Sequence, residues 1–326
     1  MAGVLLASLH LGEDASVNVS RGTMGSTGAW TTIRWISRLM CDIFALVIGV
    51  QRPAAAMEWR LLERKAEAGR KAVGNRLAYY WREPGRAFWD EHWRRHINEQ
   101  RYRSAEKGSL GELRDAFLKH LPKDGKILEA GCGSAHRVLA LQVRGYDCQG
   151  IEFAERTVAA VRAMRPSLPV SVGDVTRLDV PDGQYSGYIS LGVIEHTEAG
   201  PDQFLVEARR VLSDGGVAII TVPHFHTLRR LKAWLRLYPK PRDGLHFYQY
   251  AFTPADMTKI LERNGFEVID GYRYNCIKGL GDELPLVSAF ANHPRHGPPL
   301  KRWMKQNRFL NRHFGHMVVF VCRKSC

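Results

Sequence analysis

The run Leu128-Glu129-Ala130-Gly131-Cys132-Gly133-Ser134-Ala135-His136 decides the fold. An apolar strand, KILEA (residues 126–130), meets a glycine turn, and helical spacing follows over His136–Val143. A strand that ends in glycines and opens into a helix brings backbone close to a ligand at the carboxyl edge of a sheet. Two familiar loops are excluded. A dinucleotide fingerprint needs G-x-G-x-x-G, but the sixth position counted from Gly131 is His136. A triphosphate loop needs G-x-x-x-x-G-K-[ST], which the run lacks. What remains is an acidic residue, Glu129, two positions before a G-x-G.

Outward from this turn the rhythm of strand and helix continues. DCQGIE (147–152) reads as a second strand, 154–164 as a helix, PVSVGD (169–174) as a third strand and YISLGVIEH (188–196) as a fourth. A helix over 201–212 has proline in its first turn and closes at Asp214-Gly215-Gly216. GVAIITVP (216–223) is a fifth strand. The segment 253–264 is a helix with Thr253 as cap, Pro254 at its first position and Gly265 beyond its end. Residues 266–274 and HMVVFVC (316–322) supply the sixth and seventh strands. Alternating strands and helices predict an α/β fold, a seven-stranded, mostly parallel sheet with helices on both faces. Two insertions interrupt it, at about residues 224–250 and 276–314. Before it, residues 1–56 read as a poorly structured leader, and residues 57–119 as a basic helical extension broken at Pro84-Gly85. The main domain then runs over residues 120–326. The aromatics of the extension, among them Tyr79, Tyr80, Trp81, Phe88, Trp89, Trp93 and Tyr102, are expected to pack helices onto the core, with part of the region capping the site.

The acidic residue and glycines at 129–133 resemble motif I of class I S-adenosylmethionine-dependent methyltransferases, written E/D-x-G-x-G-x-G. Ala135 stands where the last glycine would be. The resemblance is carried by four motifs in order. Glu152 ends the second strand, where a carboxylate can accept both ribose hydroxyls. Gly173-Asp174-Val175 ends the third; in the family this aspartate faces the adenine amino group and the next residue's backbone meets the ring. Leu191-Gly192-Val193-Ile194-Glu195-His196 and Arg209–Gly216 resemble the type 11 group. The resemblance implies a Rossmann-like domain and S-adenosyl-L-methionine as cofactor. It implies a cofactor site made of Glu129, Gly131, Cys132, Gly133, Glu152, Phe153, Gly173, Asp174, Val175 and Leu191.

In such a reaction the sulfonium itself makes the methyl group electrophilic. The protein must hold a nucleophile in line with the C–S bond, an effect worth about 7–11 kcal/mol. His196, just past the fourth strand, is the candidate general base, since its unperturbed pKa suits neutral pH. Glu195 is expected to orient the loop or His196. His224 and His226 flank Phe225 after the fifth strand and, with Tyr248, are the candidate substrate contacts. No N-P-P-Y follows the fourth strand and no Pro-Cys nucleophile is present. These absences leave a small-molecule, saccharide or lipid-linked acceptor, methylated at oxygen, as the expected substrate. The alternatives are an RNA methyltransferase and a non-catalytic protein that keeps the fold.

The net charge of +14 is unevenly placed. Residues 127–221 carry −4, while 222–250 carry +5 and 290–326 carry +8. Such basic attachments can attract phosphate groups, nucleic acid or an anionic membrane surface. No RNA-binding module is recognisable, so nucleic acid is disfavoured. The insertion piece LRRLKAWLRLY (228–238) can serve as a lid helix, the preferred reading, or lie on an anionic bilayer. None of the six cysteines forms a C-x-x-C pair and no histidine cluster accompanies them, so neither a disulfide framework nor a metal site is expected. A cytoplasmic protein, with peripheral membrane contact as an option, is the expected setting.

Overall fold

Strand and helix alternate as the patterning predicts in the computed structural model, which describes residues 69–82 and 85–325. The predicted leader and the first part of the helical extension lie outside the described residues. In chain order come β1 (Gly69–Val73), β2 (Arg76–Trp81), α1 (Arg86–Arg94), α2 (Glu99–Glu106), α3 (Arg114–His120), β3 (Lys126–Ala130), α4 (His136–Val143), β4 (Asp147–Glu152) and α5 (Glu155–Met164). Then follow β5 (Val170–Val172), β6 (Tyr185–Leu191), α6 (Asp202–Val211), β7 (Leu212–Pro223), α7 (Thr227–Trp234), β8 (His246–Phe252), α8 (Pro254–Arg263) and β9 (Phe266–Tyr274). The chain ends with α9 (Cys276–Gly281), α10 (Pro285–Asn292), α11 (Gly297–Gln306), α12 (Arg308–Phe314) and β10 (Met317–Lys324).

Seven strands form the main sheet in the order β5-β4-β3-β6-β7-β10-β9. The pairs from β5 to β7 are parallel, and β10 runs antiparallel between β7 and β9. Period-two alternation sends neighbouring residues to opposite faces. Leu128, Tyr188, Ala218, Ile220 and Phe320 enter one core with Leu205 and Ala208 of α6 and Ile260 of α8. Ile127, Ile189, Ile219, Val319 and Val321 enter the other with Leu141 of α4, Val161 of α5 and Phe117 of α3. Both faces are covered, so the central strands read as near-continuous apolar runs. Burying each such side chain fully contributes roughly 1.5–3 kcal/mol.

The helical extension is corrected over residues 69–81. That stretch is a hairpin, β1 against β2, and β2 pairs in turn with β8 from the first insertion. The residues between the strands, Gly74-Asn75, are a two-residue turn of the kind that matches strand twist. Leu77 and Ala78 are fully buried, the first against Phe225 and Ala251, the second in the core that holds α6 and α8. The aromatic run Tyr79-Tyr80-Trp81 therefore lies on a strand, and Tyr80 meets Phe247 of β8 edge-on. Among the described residues the first helix is α1. The second insertion, rich in Pro, Gly, His and Arg, folds as the four helices α9 to α12.

Candidate active site

The glycine turn leaves β3 with Gly131 at φ +74° and Gly133 at φ +52°, a region that L side chains rarely adopt. Both also sit under close neighbours. A Cβ on Gly131 would lie 2.5 Å from the Val193 side chain, and one on Gly133 2.4 Å from the Trp93 ring. The turn is pinned from below: the N–H groups of Gly131 and Cys132 donate to the Ile151 carbonyl, and that of Gly133 donates to Oε2 of Glu152 at 2.9 Å. From the side, the Tyr102 hydroxyl of α2 donates to the Ser134 carbonyl at 2.9 Å.

Beside the turn opens a cavity of about 460 Å³ at the carboxyl edge of the sheet. Of the predicted cofactor residues, Gly131, Glu152, Phe153, Gly173, Asp174, Val175 and Leu191 line it. Two carboxylates thus face a chamber whose remaining wall is largely apolar. Glu152 is buried, which raises its pKa, while backbone N–H groups of Ala154 and Gly133 partly offset that rise. Asp174 is exposed; its Oδ1 accepts from the N–H and hydroxyl of Thr176.

Three predicted cofactor residues do not line the cavity. Glu129 is buried beneath the turn, where burial pushes its pKa up to about 7 against the pull of Arg137 and the Val138 N–H at the start of α4. The Cys132 side chain packs against Gly150 and Val138, away from the cavity, because the turn's tight bend leaves it over α4. Gly133 is covered by Trp93.

His196 lines the cavity, in the loop after β6. Its Nδ1 lies 2.8 Å from the Tyr248 carbonyl, an acceptor, so Nδ1 carries the proton and Nε2 carries the lone pair. Burial drives its pKa down to about 4, despite the carbonyls of Tyr248 and Gly192. Glu195 is fully buried and its carboxyl is pushed up to about 8. Its Oε1 lies 3.9 Å from His196 Nε2, too far for a hydrogen bond.

Tyr248 does not line the cavity; it backs His196, with ring centroids 4.9 Å apart. His224 and His226 are displaced further. Both are buried, His224 with Nδ1 on the Gly315 carbonyl and His226 with Nε2 on the Gly279 carbonyl. His226 also caps α7 through Nδ1. Their expected place at the rim is taken by the second insertion, whose backbone carbonyls consume both imidazoles.

The opposite wall comes from α1. Trp89 and Trp93, one turn apart, line the cavity, and Trp89 meets His196 edge-on at 4.8 Å. Asp90 between them accepts from the N–H and hydroxyl of Thr157 and so fixes α1 to α5. The i, i+4 spacing of the two tryptophans in FWDEHW is the sequence signal for this wall. No residue of the 228–238 piece lines the cavity.

The profile of a family described as a methyltransferase domain matches residues 97–270, more than half the chain. A chain from Mycolicibacterium smegmatis that carries the name of an S-adenosylmethionine-dependent methyltransferase is 31% identical over 154 residues, covering 47% of this chain and 56% of that one. A ubiquinone biosynthesis O-methyltransferase of Roseobacter denitrificans is 27% identical over 164 residues, covering 47% of this chain and 64% of the other. Each match spans less than two thirds of the relative's length. Among solved structures, a Burkholderia thailandensis 1,6-didemethyltoxoflavin-N1-methyltransferase with bound S-adenosylhomocysteine is similar at a TM-score of 0.46 and 15% identity, covering 79% of this chain and all of that one.

Proposed function

The chain belongs to the methyltransferase-domain family, and from that membership we propose that it transfers a methyl group from S-adenosylmethionine to an oxygen of a lipid-linked or small hydrophobic acceptor. The observation that carries the reading is the cavity beside Gly131, in which Glu152 and Asp174 face apolar walls. The donor set fits an adenosyl group: carboxylates for hydroxyls and an amine, aliphatic and aromatic carbon for a ring, and a glycine where a Cβ would intrude. Bound there, S-adenosylmethionine supplies an electrophilic methyl on sulfur. Glu152 would accept the ribose hydroxyls and Asp174 the adenine amino group, with Val175 and Leu191 against the ring. Trp89, Trp93 and Phe204 wall the chamber and limit water. His196 offers a lone pair at Nε2 to the proton of an acceptor hydroxyl, a contribution of about 10²–10⁴-fold when such a base is used.

The lipid part of the reading is supported by α7, which is inside out. Arg229 is 1% exposed and its guanidinium reaches Glu283, Asp282 and the His224 carbonyl. The opposite face displays Leu231 and Trp234, and the chain beyond adds Leu235 and Leu237; Trp234 is 78% exposed. Arg230, Arg236 and Lys240, all exposed, are interspersed with them, and no acidic residue lies between 228 and 242. Leu284 and Leu286 extend the apolar face from Glu283, which is bonded to Lys232 and Tyr238. Exposed Trp and Leu among cations fit the interface of an anionic bilayer. No helix among the described residues is long and apolar enough to cross one.

Two measurements test this reading. Labelled methyl groups chased from S-adenosylmethionine into a cell extract should enter the organic-soluble fraction; label confined to RNA or protein would overturn the acceptor class. The full chain should sediment with vesicles of phosphatidylglycerol and phosphatidylcholine but not with phosphatidylcholine alone, and Trp234→Ala with Leu237→Ala should weaken that binding by about tenfold or more. Absence of vesicle binding, or a dimer that the same substitutions dissolve, would contradict the membrane face.

A further inference from the structure

A second cavity lies at the far end of the sheet, where β9 ends. It encloses about 610 Å³ and is lined by Arg273 and Tyr274 of β9, Arg114 at the start of α3, Lys305 of α11, and Arg308 and Arg312 of α12. It shares no residue with the chamber beside Gly131. Its two acids are already engaged: Asp115 pairs with Arg114 at 3.4 Å and Glu112 with Lys305 at 3.8 Å. Among the described residues, no carboxylate pairs with Arg273, Arg308 or Arg312.

That arrangement is costly without a counter-charge. Arg308 and Arg312 are four apart on one helix, where like charges repel. Arg273 stands beneath them, and its Nε is buried with no hydrogen-bond partner. Burial, and then the neighbouring Arg312, lower the Arg273 pKa. Asn311, between the two exposed arginines, is buried and ties α12 to α11 and α9 through the carbonyls of Met304 and Lys305 and the N–H of Cys276. Gly315 lies so close that a Cβ there would stand 2.8 Å from the Arg273 Cβ. Three arginines thereby border one space, on backbone that Asn311 ties together. A guanidinium presents its donors as a planar fork that matches phosphate oxygens two at a time.

We propose that this cavity is a binding site for a phosphate- or pyrophosphate-bearing ligand, gripped by Arg273, Arg308 and Arg312. The cationic lining continues from it. An adjoining cavity shares Gly111, Glu112, Tyr274 and Lys305 and adds Arg101 and Arg137, the latter in the first turn of α4 beside the glycine turn. The ligand's phosphate end is therefore held on the same rim of the sheet as the methyl-transfer chamber. The inference does not depend on methyl transfer, because its binding readout needs no S-adenosylmethionine.

The test is calorimetric titration of the full chain with inorganic pyrophosphate and with inorganic phosphate. Wild type should bind pyrophosphate saturably. The exposed pair Arg308→Gln with Arg312→Gln, which leaves the core untouched, should weaken it by about tenfold or more, and Arg273→Gln should do the same. S-adenosylhomocysteine affinity should stay unchanged in the exposed pair, which shows that the variant is folded. Binding of phosphatidic acid vesicles that pyrophosphate displaces would identify a lipid headgroup as the source. Pyrophosphate binding that displaces no phosphatidic acid vesicles would identify a soluble phosphorylated ligand. No saturable pyrophosphate binding, equal affinity in the arginine variants, or binding of an RNA oligonucleotide where pyrophosphate fails would each overturn the proposal.

Discussion

The imidazole of His196 is neutral across the physiological range because burial lowers its pKa to about 4 and the Tyr248 carbonyl fixes the proton on Nδ1. An imidazole that is neutral at pH 7 keeps the lone pair on Nε2 throughout that range. His196→Gln should therefore slow methyl transfer while leaving S-adenosylhomocysteine affinity unchanged, and the ratio of wild-type to variant rates should be flat between about pH 5.5 and 8. A ratio that falls through pH 6.5 would show an exposed, ordinary histidine instead. Glu195 carries the opposite shift. Its carboxyl titrates near 8 in the fold and near 4.5 when unfolded, so the folded state holds the extra proton between those values. Wild-type stability is then favoured at low pH and declines as pH rises from about 4.5 to 8, with no further loss above that. Glu195→Gln should remove that decline, and urea unfolding at pH 5 and pH 8.5 would show it; equal pH dependence in the two proteins would contradict a buried neutral acid. At this scale the placement of Gly131, Glu152, Asp174 and His196 on the cavity wall was legible because strand ends and glycines fix them locally. Whether a side chain points into the cavity or beneath it was not legible. The turn of Glu129 and Cys132 towards α4, and the capture of His224 and His226 by the carbonyls of Gly315 and Gly279, depend on elements distant in sequence.

Among the elements, the two insertions and the hairpin are joined by one carboxylate. Glu283 accepts from Arg70 of β1 at 2.8 Å, Lys232 at 2.9 Å and Arg229 at 3.2 Å of α7, and the Tyr238 hydroxyl at 3.0 Å. Burial would raise its pKa, but these cations overturn that and hold it down at about 2. Glu283→Ala would leave the buried Arg229 with only Asp282 as a carboxylate partner, and breaking a buried pair typically costs about 3–5 kcal/mol. Urea unfolding should report a loss of that order, and a loss below about 1 kcal/mol would mean that the cluster is solvated rather than structural. The core strands β3, β4 and β9 and the helix α4 were readable to the residue from period and caps. The hairpin was not, because Arg70–Trp81 is rich in residues that also suit helices, and its partner β8 lies more than 160 residues away. Its own signal, Gly74-Asn75 between two short runs, is local and was available. The inversion of α7 was hidden for a related reason: an amphipathic pattern shows that a helix has two faces, and only the position of Asp282 and Glu283 decides that the arginine is the buried one.

On the scale of the whole molecule, charge and architecture separate two tasks. The strands and helices from β3 to β7 make up the acidic segment 127–221 and, with Trp89 and Trp93 of α1, supply the chamber. The insertions after β7 and β9 add positive charge and the exposed Trp234 and Leu237, and the second supplies Lys305, Arg308 and Arg312 to the arginine cavity. The fold class and the family were legible because four strand-end motifs occur in order. The acceptor was not, since no motif names the acceptor and none describes the insertions. The central claim is that the chamber beside Gly131 holds an adenosyl group on two carboxylates. Calorimetric titration of the chain and of Glu152→Ala and Asp174→Ala with S-adenosylhomocysteine tests it most directly. Wild type should bind one equivalent, and each substitution should weaken binding by about tenfold or more, the loss expected when a charge-assisted hydrogen bond is removed. Unchanged affinity in both variants, or no binding by wild type, would contradict the account.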